Sequence, residues 1–380
     1  MTLDTAKHAV HYILDNLEKR NKKFNKNEQG KINFFGGEPM LLYDEIIVPL
    51  TNYIKDNNFP IKLSMTTNGT LLNEERIKFL YNNNFSLLLS IDGDEYTQNF
   101  NRPCRNNKIK SFDLLKDNIP IILEYFPNIT FRSTIYSKSV EKTFENYIFA
   151  IQRGFKNIFM IPDCRHPWTK EEKEKLHQEI HKIYSFMDFC FTSGKGLPID
   201  CRPIQESFTK FYNQDLHLLK QDKNQKKENR NPFRCGLGIN GYGSIGYDGS
   251  ILACQEQTSK NNDKNIFYLG NIYKKGIEKE KQNNLVKLYI ESVKNECDNK
   301  ENCKKCYFNK TCFYDFCPST SMDLFNNFLY IPEIYCQWKE WLTLDAIILN
   351  NKLVKENNEL YKDYLLNKCN FDIYKRGENK

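Results

Sequence analysis

The first hundred residues of this 380-residue chain contain no cysteine, although the chain as a whole holds thirteen. Methionine, histidine and tryptophan are scarce as well, at six, six and three residues. No stretch approaches the ~18–20 uninterrupted apolar residues that a membrane helix needs, so no membrane partner is expected. The opening Met1-Thr-Leu-Asp-Thr-Ala-Lys-His8 lacks the basic, apolar, small-residue order of a secretory signal, which predicts a cytoplasmic protein. No long block of like charge occurs, and 55 basic against 48 acidic residues leave a net charge of only +7. Nucleic-acid binders gather their basic charge on one face. Here it alternates with Glu and Asn, as along Lys220–Arg230, so no nucleic-acid partner is expected either.

What the chain does contain is ordinary globular material, 40% hydrophobic and 27% charged, enough for two or three domains. The first half repeats one pattern: a short apolar run, an unusual turn, then a helical stretch. Lys31–Phe35 runs into Gly36-Gly-Glu-Pro39, with an apolar helix expected over Leu41–Ile54. Ile61–Thr66 runs into Thr67-Asn-Gly69, and Ser86–Ile91 into Asp92-Gly93. Ile129–Ile135 and Lys156–Ile161 complete five strand candidates. Strands alternating with helices predict an α/β fold with a parallel sheet, open or closed into a barrel. In such sheets the chemistry collects on the loops at the carboxyl ends of the strands, where these turns lie. Met1–Leu17 reads as an amphipathic helix with Ala6, Val10, Ile13 and Leu17 on one face. Thr169–Gly194 is helical, and Trp338–Leu366 reads as one capping helix.

The cysteines are distributed unevenly. Seven of the thirteen lie between Cys235 and Cys317. Without an export signal, clustered thiols point to metal binding more than to disulfides. Cys303-Lys-Lys-Cys306, Cys312, Cys317 and Cys336 form the densest such pattern, one that suits an iron–sulfur cluster or a structural zinc ion. Upstream of it, Asp248-Gly249 between two short β runs signals a hairpin. The expected division is a core over 1–205, a polar linker over 206–232, a Cys-rich domain over 233–337 and a helical tail over 338–380.

Together, Phe-Phe-Gly-Gly-Glu-Pro, Thr-Thr-Asn-Gly and Leu-Ser-Ile-Asp-Gly, with Arg102 nine residues on, resemble the radical S-adenosylmethionine (radical SAM) enzymes. The half from Cys235 resembles their SPASM domain, which carries auxiliary iron–sulfur clusters. Cys235, Gly249 and Cys254 fit that domain's first stretch, and Cys303, Cys306 and Cys312 fit its second. Cys317 comes one residue late, and Cys336 supplies the last position.

The resemblance implies a partial (β/α) barrel, a Cys-rich domain built of a β-hairpin and loops, and a C-terminal helix. It implies that Gly36, Gly37, Glu38 and Pro39 hold the amino group of SAM, and that Ser90 and Arg102 contact its ribose and carboxylate. Asn68 and Arg132 would line the same strand ends. Two auxiliary 4Fe–4S clusters are implied: one on Cys303, Cys306, Cys312 and Cys336, the other on Cys235, Cys254 and Cys317. Cys201, Cys297 or a substrate thiolate would complete the second. The implied activity is modification of a peptide or protein, in the maturase or thioether-forming lineage, through a 5′-deoxyadenosyl radical. An external electron donor is implied as a further partner.

Two departures stand against the pattern. The family's Cys-X3-Cys-X2-Cys loop is absent from these 380 residues, and Cys104 and Cys164 lack the spacing to replace it. The barrel is therefore expected to lack its first strand, and the chain alone is not expected to cleave SAM. The competing expectation is a truncated, non-catalytic iron–sulfur or zinc protein that binds a peptide or a partner. The second departure is Gln255, directly after Cys254, where sulfatase-maturating relatives carry an Asp base. An amide accepts no proton at neutral pH, which favours other peptide maturases.

Some motifs carry no function on this reading. Gly236-Leu-Gly-Ile-Asn-Gly241 matches a dinucleotide-binding pattern but leads into a hairpin and not from strand to helix. His177 and His181 read as a solvated helix face, and His166 and His217 as surface or packing residues. Cys190 and Cys369 read as small core residues.

Overall fold

The computed structural model describes residues 1–106, 108–208, 237, 243–258, 265–296, 306 and 316–368. Numbered in chain order, the first elements are α1 (Leu3–Phe24), β1 (Gly30–Phe34), α2 (Val48–Asp56), β2 (Ile61–Thr67) and α3 (Glu74–Asn82). Then come β3 (Ser86–Ser90), α4 (Glu95–Asn101), α5 (Asn118–Tyr125), β4 (Thr130–Ile135), α6 (Thr143–Gln152), β5 (Asn157–Pro162), α7 (Lys170–Thr192) and β6 (Asp200–Cys201). The second half holds the short strands β7 (Ser244–Ile245), β8 (Ser250–Leu252), β9 (Tyr268–Asn271) and β10 (Gly276–Ile277). It ends in helices α8 (Lys279–Glu296), α9 (Pro318–Phe325), α10 (Glu333–Lys355) and α11 (Glu359–Lys368).

The chain forms two compact units that cut across its order. The first gathers Met1–Thr67, Phe79–Leu87 and Lys226–Ile331; the second gathers Asn68–Lys78, Leu88–Gln225 and Pro332–Lys380.

In the first unit β1 and β2 pair in parallel, Gly30 opposite Ile61 through Phe34 opposite Met65. Helix α1 starts where the Thr2 hydroxyl accepts the Thr5 N–H at 3.1 Å and stops at Asn25, in the left-handed conformation. It runs seven residues beyond Leu17. Ala6 and Val10 are buried as expected. Ile13 and Leu17 lie over Gly30, where an added Cβ would come 3.4 and 3.7 Å from their side chains. The helix expected over Leu41–Ile54 is broken: a tight turn at Pro39–Leu42 and a wide turn at Tyr43–Ile47 precede α2.

The hairpin signalled by Asp248-Gly249 is present. Strands β7 and β8 pair antiparallel, Ser244 opposite Leu252, and Gly249 takes φ +80°, a conformation that suits glycine. Strands β9 and β10 extend it to four strands in the order β10-β9-β8-β7. Ile251, Ala253, Phe267, Leu269, Leu285 and Tyr289 form its core.

In the second unit β3, β4, β5 and β6 follow one another in parallel, with Ser90 opposite Arg132, Arg132 opposite Phe159 and Asn157 opposite Asp200. Six parallel strands in chain order realise the expected partial (β/α) architecture, and no closed barrel forms among the described residues. Strand β6 was not expected, because two residues leave no period to read. Strand β4 alternates in burial, with Phe131 fully buried against the rings of Phe149 and Phe155.

Helix α7 opens with a capping box between Thr169 and Glu172. Its partner is α10: the Tyr184 hydroxyl donates to the Leu342 carbonyl at 2.7 Å, and the His177 ring stacks on Trp341 at 5.0 Å. His177 and His181 therefore face a helix, not solvent alone, because α10 supplies an aromatic ring and the buried Asp345 opposite them. The expected capping helix is two helices, α10 and α11, broken where Asn357 takes φ +55°. Cys190 is buried, as expected of a small core residue. Gly236, Gly241, His217 and Cys369 lie outside the described residues.

Candidate functional site

The unusual turns sit where the parallel strands end, and each unit builds its own part. In the first unit β1 ends at Phe34 and the chain turns through Gly36 and Gly37. Nothing lies within 4 Å of where a Cβ would stand on either glycine. The backbone thus borders open space that any side chain would occupy, as a cradle for a bound group requires. Glu38 caps the following turn: its Oε1 accepts the Met40 N–H at 3.0 Å and the Thr67 hydroxyl at 2.8 Å. Thr67 is buried at the end of β2. The carboxylate is held in place beside the glycines, and a carboxylate has acceptor sites beyond these two. Pro39 follows it and opens the turn.

In the second unit the Asn68 side chain accepts the backbone N–H and the hydroxyl of Thr70 at 2.9 and 2.7 Å. Gly69 takes φ +74°, and a Cβ there would come 2.7 Å from Leu89 and Leu115. This turn tolerates only glycine. Ser90 is buried at the end of β3, opposite Arg132, whose guanidinium lies 5.8 Å from the Phe159 ring centre.

Arg102 closes α4 and is engaged by a residue that the sequence showed only as part of a turn. Asp92, whose side chain is fully buried, accepts Arg102 Nε at 2.8 Å and Nη2 at 3.0 Å. Its Oδ1 also accepts the Thr134 N–H at 3.0 Å, and its carbonyl accepts the Ser133 hydroxyl at 2.9 Å. A buried carboxylate is tolerable only with such a full set of donors. Next to it, Gly93 lies so close to Asn146 that a Cβ would come 2.0 Å from the amide oxygen. That oxygen accepts the Asp94 N–H.

Strand β5 ends in a second carboxylate that the sequence reading passed over. Asp163 is buried, and its Oδ2 bonds the His166 ring at Nδ1. Its Oδ1 accepts the Arg165 N–H at 3.0 Å, and its carbonyl accepts the Trp168 indole N–H at 2.7 Å. The available signal was an Asp one residue beyond a strand end with a His three residues later. Tyr136 lies beside this loop, its ring centre 6.4 Å from that of His166. Burial, and then the charge of Asp92, raise the Tyr136 hydroxyl above its ordinary pKa. Cys164 is pushed up to about 12 by burial and by Asp163, with Cys336 adding to the effect.

Of the proposed metal-ligating cysteines, the structure describes Cys254, Cys306, Cys317 and Cys336; Cys235, Cys303 and Cys312 lie outside the described residues. Cys254 and Cys317 come together in the first unit. Burial raises the Cys254 thiol, and the nearby Cys317 raises it further, while bonds from the Glu256 backbone and the Ser319 side chain pull it down. Two thiols in mutual electrostatic range with donors at hand fit the edge of a metal cluster. Cys306 and Cys336 are exposed. Cys201, an expected alternative ligand, is buried in the core of the second unit, its thiol pushed up to about 12 by burial. Gln255 opens a short turn whose Gln257 bonds the buried Ser319 at 3.0 Å. Among the described residues, no three His, Cys, Asp or Glu side chains converge on a common metal position, and no helix is long and apolar enough to cross a membrane.

Comparison with known proteins agrees with the motifs. The cysteine-type anaerobic sulfatase-maturating enzyme of Clostridium novyi is 26% identical over 322 residues, covering 79% of this chain and 76% of the relative. The radical SAM cyclopropyl synthase TigE of Paramaledivibacter caminithermalis is 28% identical over 195 residues, which span 50% of this chain but only 39% of TigE. Among solved structures, native anSMEcpe with bound AdoMet and Kp18Cys peptide superposes with a TM-score of 0.65 at 20% identity, covering 93% of this chain and 91% of that one. That match shows a shared fold. Residues 4–151 match the model of the radical SAM superfamily.

Proposed function

We propose that the protein is a peptide- or protein-modifying radical SAM enzyme with auxiliary iron–sulfur clusters of SPASM type. The observation that carries this reading is the Gly36-Gly37-Glu38 turn, where open backbone and an anchored carboxylate stand together at a strand end. It suits a ligand bearing an ammonium group, as the methionine part of SAM does. SAM together with a reduced iron–sulfur cluster would supply a 5′-deoxyadenosyl radical able to abstract hydrogen from a substrate; the three thiolates that would hold that cluster are not among these 380 residues.

The protein's own residues would bind and orient. Glu38 would take the ammonium group. Ser90, Asn68 and Arg132 would line the strand ends, and Arg102, held by Asp92, would face the carboxylate. Cys254 and Cys317, with Cys235, would hold one auxiliary cluster; Cys303, Cys306, Cys312 and Cys336 would hold the other. A named relative supports the substrate class, since it matures sulfatases, and the anSMEcpe structure of the same fold holds a peptide. An external electron donor belongs to the same reading.

The test is isotope transfer. Under anaerobic, reducing conditions the protein, joined to a segment that supplies the Cys-X3-Cys-X2-Cys thiolates absent from these 380 residues, should yield deuterated 5′-deoxyadenosine when incubated with SAM and uniformly deuterated peptides. If 5′-deoxyadenosine forms but carries no deuterium from any peptide, peptides are not the substrate.

A further inference from the structure

The loop after β5 holds a base-and-carboxylate pair that none of the SAM or cluster assignments uses. Asp163 has 8% of its side chain exposed, whereas His166, bonded to it, has 70% exposed. Asp163 is fixed through its backbone and its side chain. Its own N–H donates to the Ile135 carbonyl of β4 at 2.8 Å, Arg165 donates to its side chain, and Trp168 donates to its carbonyl. With Nδ1 committed to Asp163, the neutral imidazole carries its proton on Nδ1 and its lone pair on Nε2. A buried anion thus holds an exposed ring in the tautomer that accepts a proton. The pair sits on the loop face at the carboxyl end of a parallel strand, where this architecture places its chemistry.

Peptide modification begun by hydrogen abstraction needs such a group. Removing a hydrogen atom leaves a carbon radical next to a group X–H, with X being sulfur, oxygen or nitrogen. Completing a two-electron oxidation breaks X–H, forms a second C–X bond and releases one electron and one proton. The electron would go to an auxiliary iron–sulfur cluster, the electron acceptor that the parent reading places on the SPASM-type cysteines. The proton needs an acceptor, and Gln255, beside Cys254, is an amide that cannot serve.

We infer that His166 is the proton acceptor for the oxidised peptide substrate, through Nε2, and that Asp163 is its positioning residue. This rests on the reading of the protein as a peptide-modifying radical SAM enzyme and adds a residue to it. The charged and titratable groups around the pair are Tyr136 at the end of β4, Arg165 and Cys164 on the same loop, and the Asp92–Arg102 pair that faces Tyr136. None of them presents an exposed, carboxylate-oriented imidazole.

In the protein completed with the Cys-X3-Cys-X2-Cys thiolates as in the test above, the experiment measures modified peptide formed per 5′-deoxyadenosine released, for the wild type, His166→Ala and Asp163→Asn, with and without added imidazole. General-base loss typically costs ~10²–10⁴-fold. The ratio should fall by at least ~10²-fold in His166→Ala and be partly restored by imidazole, which occupies the vacated space and carries the missing base. Asp163→Asn should lower the ratio without rescue by imidazole, since its own ring still fills the site. Independently of turnover, the His166 Nδ1–H should give a downfield proton resonance in the cluster-free wild type that disappears in Asp163→Asn. A His166→Ala ratio equal to wild type, or a fall that imidazole does not relieve, overturns the inference and leaves His166 as a loop anchor. A wild type that releases no 5′-deoxyadenosine overturns the parent reading instead.

Discussion

Arg102 grips Asp92 through two guanidinium nitrogens, at 2.8 and 3.0 Å, although the Asp92 side chain is wholly buried and 28% of the Arg102 side chain reaches solvent. The two partners are therefore not equivalent. Removing Arg102 strands a buried negative charge, while removing Asp92 leaves a cation that water can still reach.

The expected result is an asymmetric pair of mutants. Arg102→Ala should destabilise the fold by ~3–5 kcal/mol, the cost of an uncompensated buried charge. Asp92→Asn should cost less, because the amide still accepts the Thr134 N–H and leaves no buried anion. Denaturant midpoints measured at constant m-value decide it. Equal costs would mean that the bond from Thr134 suffices to hold Asp92 alone.

Gly37 separates binding from folding. With open space where its Cβ would stand, Gly37→Ala should change stability by no more than ~0.5 kcal/mol, as an exposed substitution does. The same methyl group would intrude on the proposed SAM cradle, and Glu38→Gln would remove the charge proposed to face the ammonium group. Losing one charge-assisted hydrogen bond is worth ~1.5–3 kcal/mol, or roughly 10–100-fold in affinity. Equilibrium dialysis with labelled SAM should show both variants binding at least ~10-fold more weakly. Unchanged affinity in Gly37→Ala would place SAM elsewhere.

The electrostatic influence of Cys317 on Cys254 predicts a shared fate. Cys254→Ser and Cys317→Ser should each lose the same iron, and the double variant should lose no more than either single one. In the reconstituted wild type both thiols should resist alkylation, and chelating the iron should expose them. In the metal-free protein the raised Cys254 thiol should react only as the pH climbs above the usual thiol range. Additive iron losses would assign the two cysteines to different centres.

Buried thiols also set a pH dependence of stability. Cys164 and Cys201 are both pushed up to about 12 in the folded chain, whereas an unfolded thiol ionises near ~8.5. The folded state keeps protons that the unfolded state gives up. Their contribution to stability is therefore complete below about 8.5 and is lost as pH rises toward 12. The denaturation midpoint should fall between pH 8 and pH 10, and Cys201→Ala should reduce that fall. A flat profile would mean that the thiols ionise alike in both states.

The strands and their turns were readable because each strand appears as a short, largely apolar run with at least one buried face, and the turns that follow need glycine or a capping Glu. The Gly36–Pro39 turn, Gly69 and Gly249 carry that information one residue at a time. Pairings across the fold were not readable. Arg102 and Asp92 lie ten residues apart on different elements, so the sequence offered Arg102 as a ligand for SAM without showing the carboxylate that holds it. His166, next to Pro167, looked like a surface residue, because nothing in the local pattern tells whether Asp163 points inward. The break at Tyr43–Ile47 and the split of the tail at Asn357 arise where tertiary contacts override helical periodicity. Strand β6 exists only through its pairing with β5.

The most direct test of the account is reductive cleavage of SAM itself. These 380 residues hold no Cys-X3-Cys-X2-Cys loop, so the chain alone should bind SAM without cleaving it; joined to a segment that supplies those three thiolates, reconstituted anaerobically with iron and sulfide and reduced with dithionite, it should convert SAM to 5′-deoxyadenosine and methionine. Glu38→Gln should lower the rate at limiting SAM. Absence of 5′-deoxyadenosine from the protein so completed, reconstituted and able to bind SAM, would contradict the radical mechanism and leave a binding protein on a radical SAM fold.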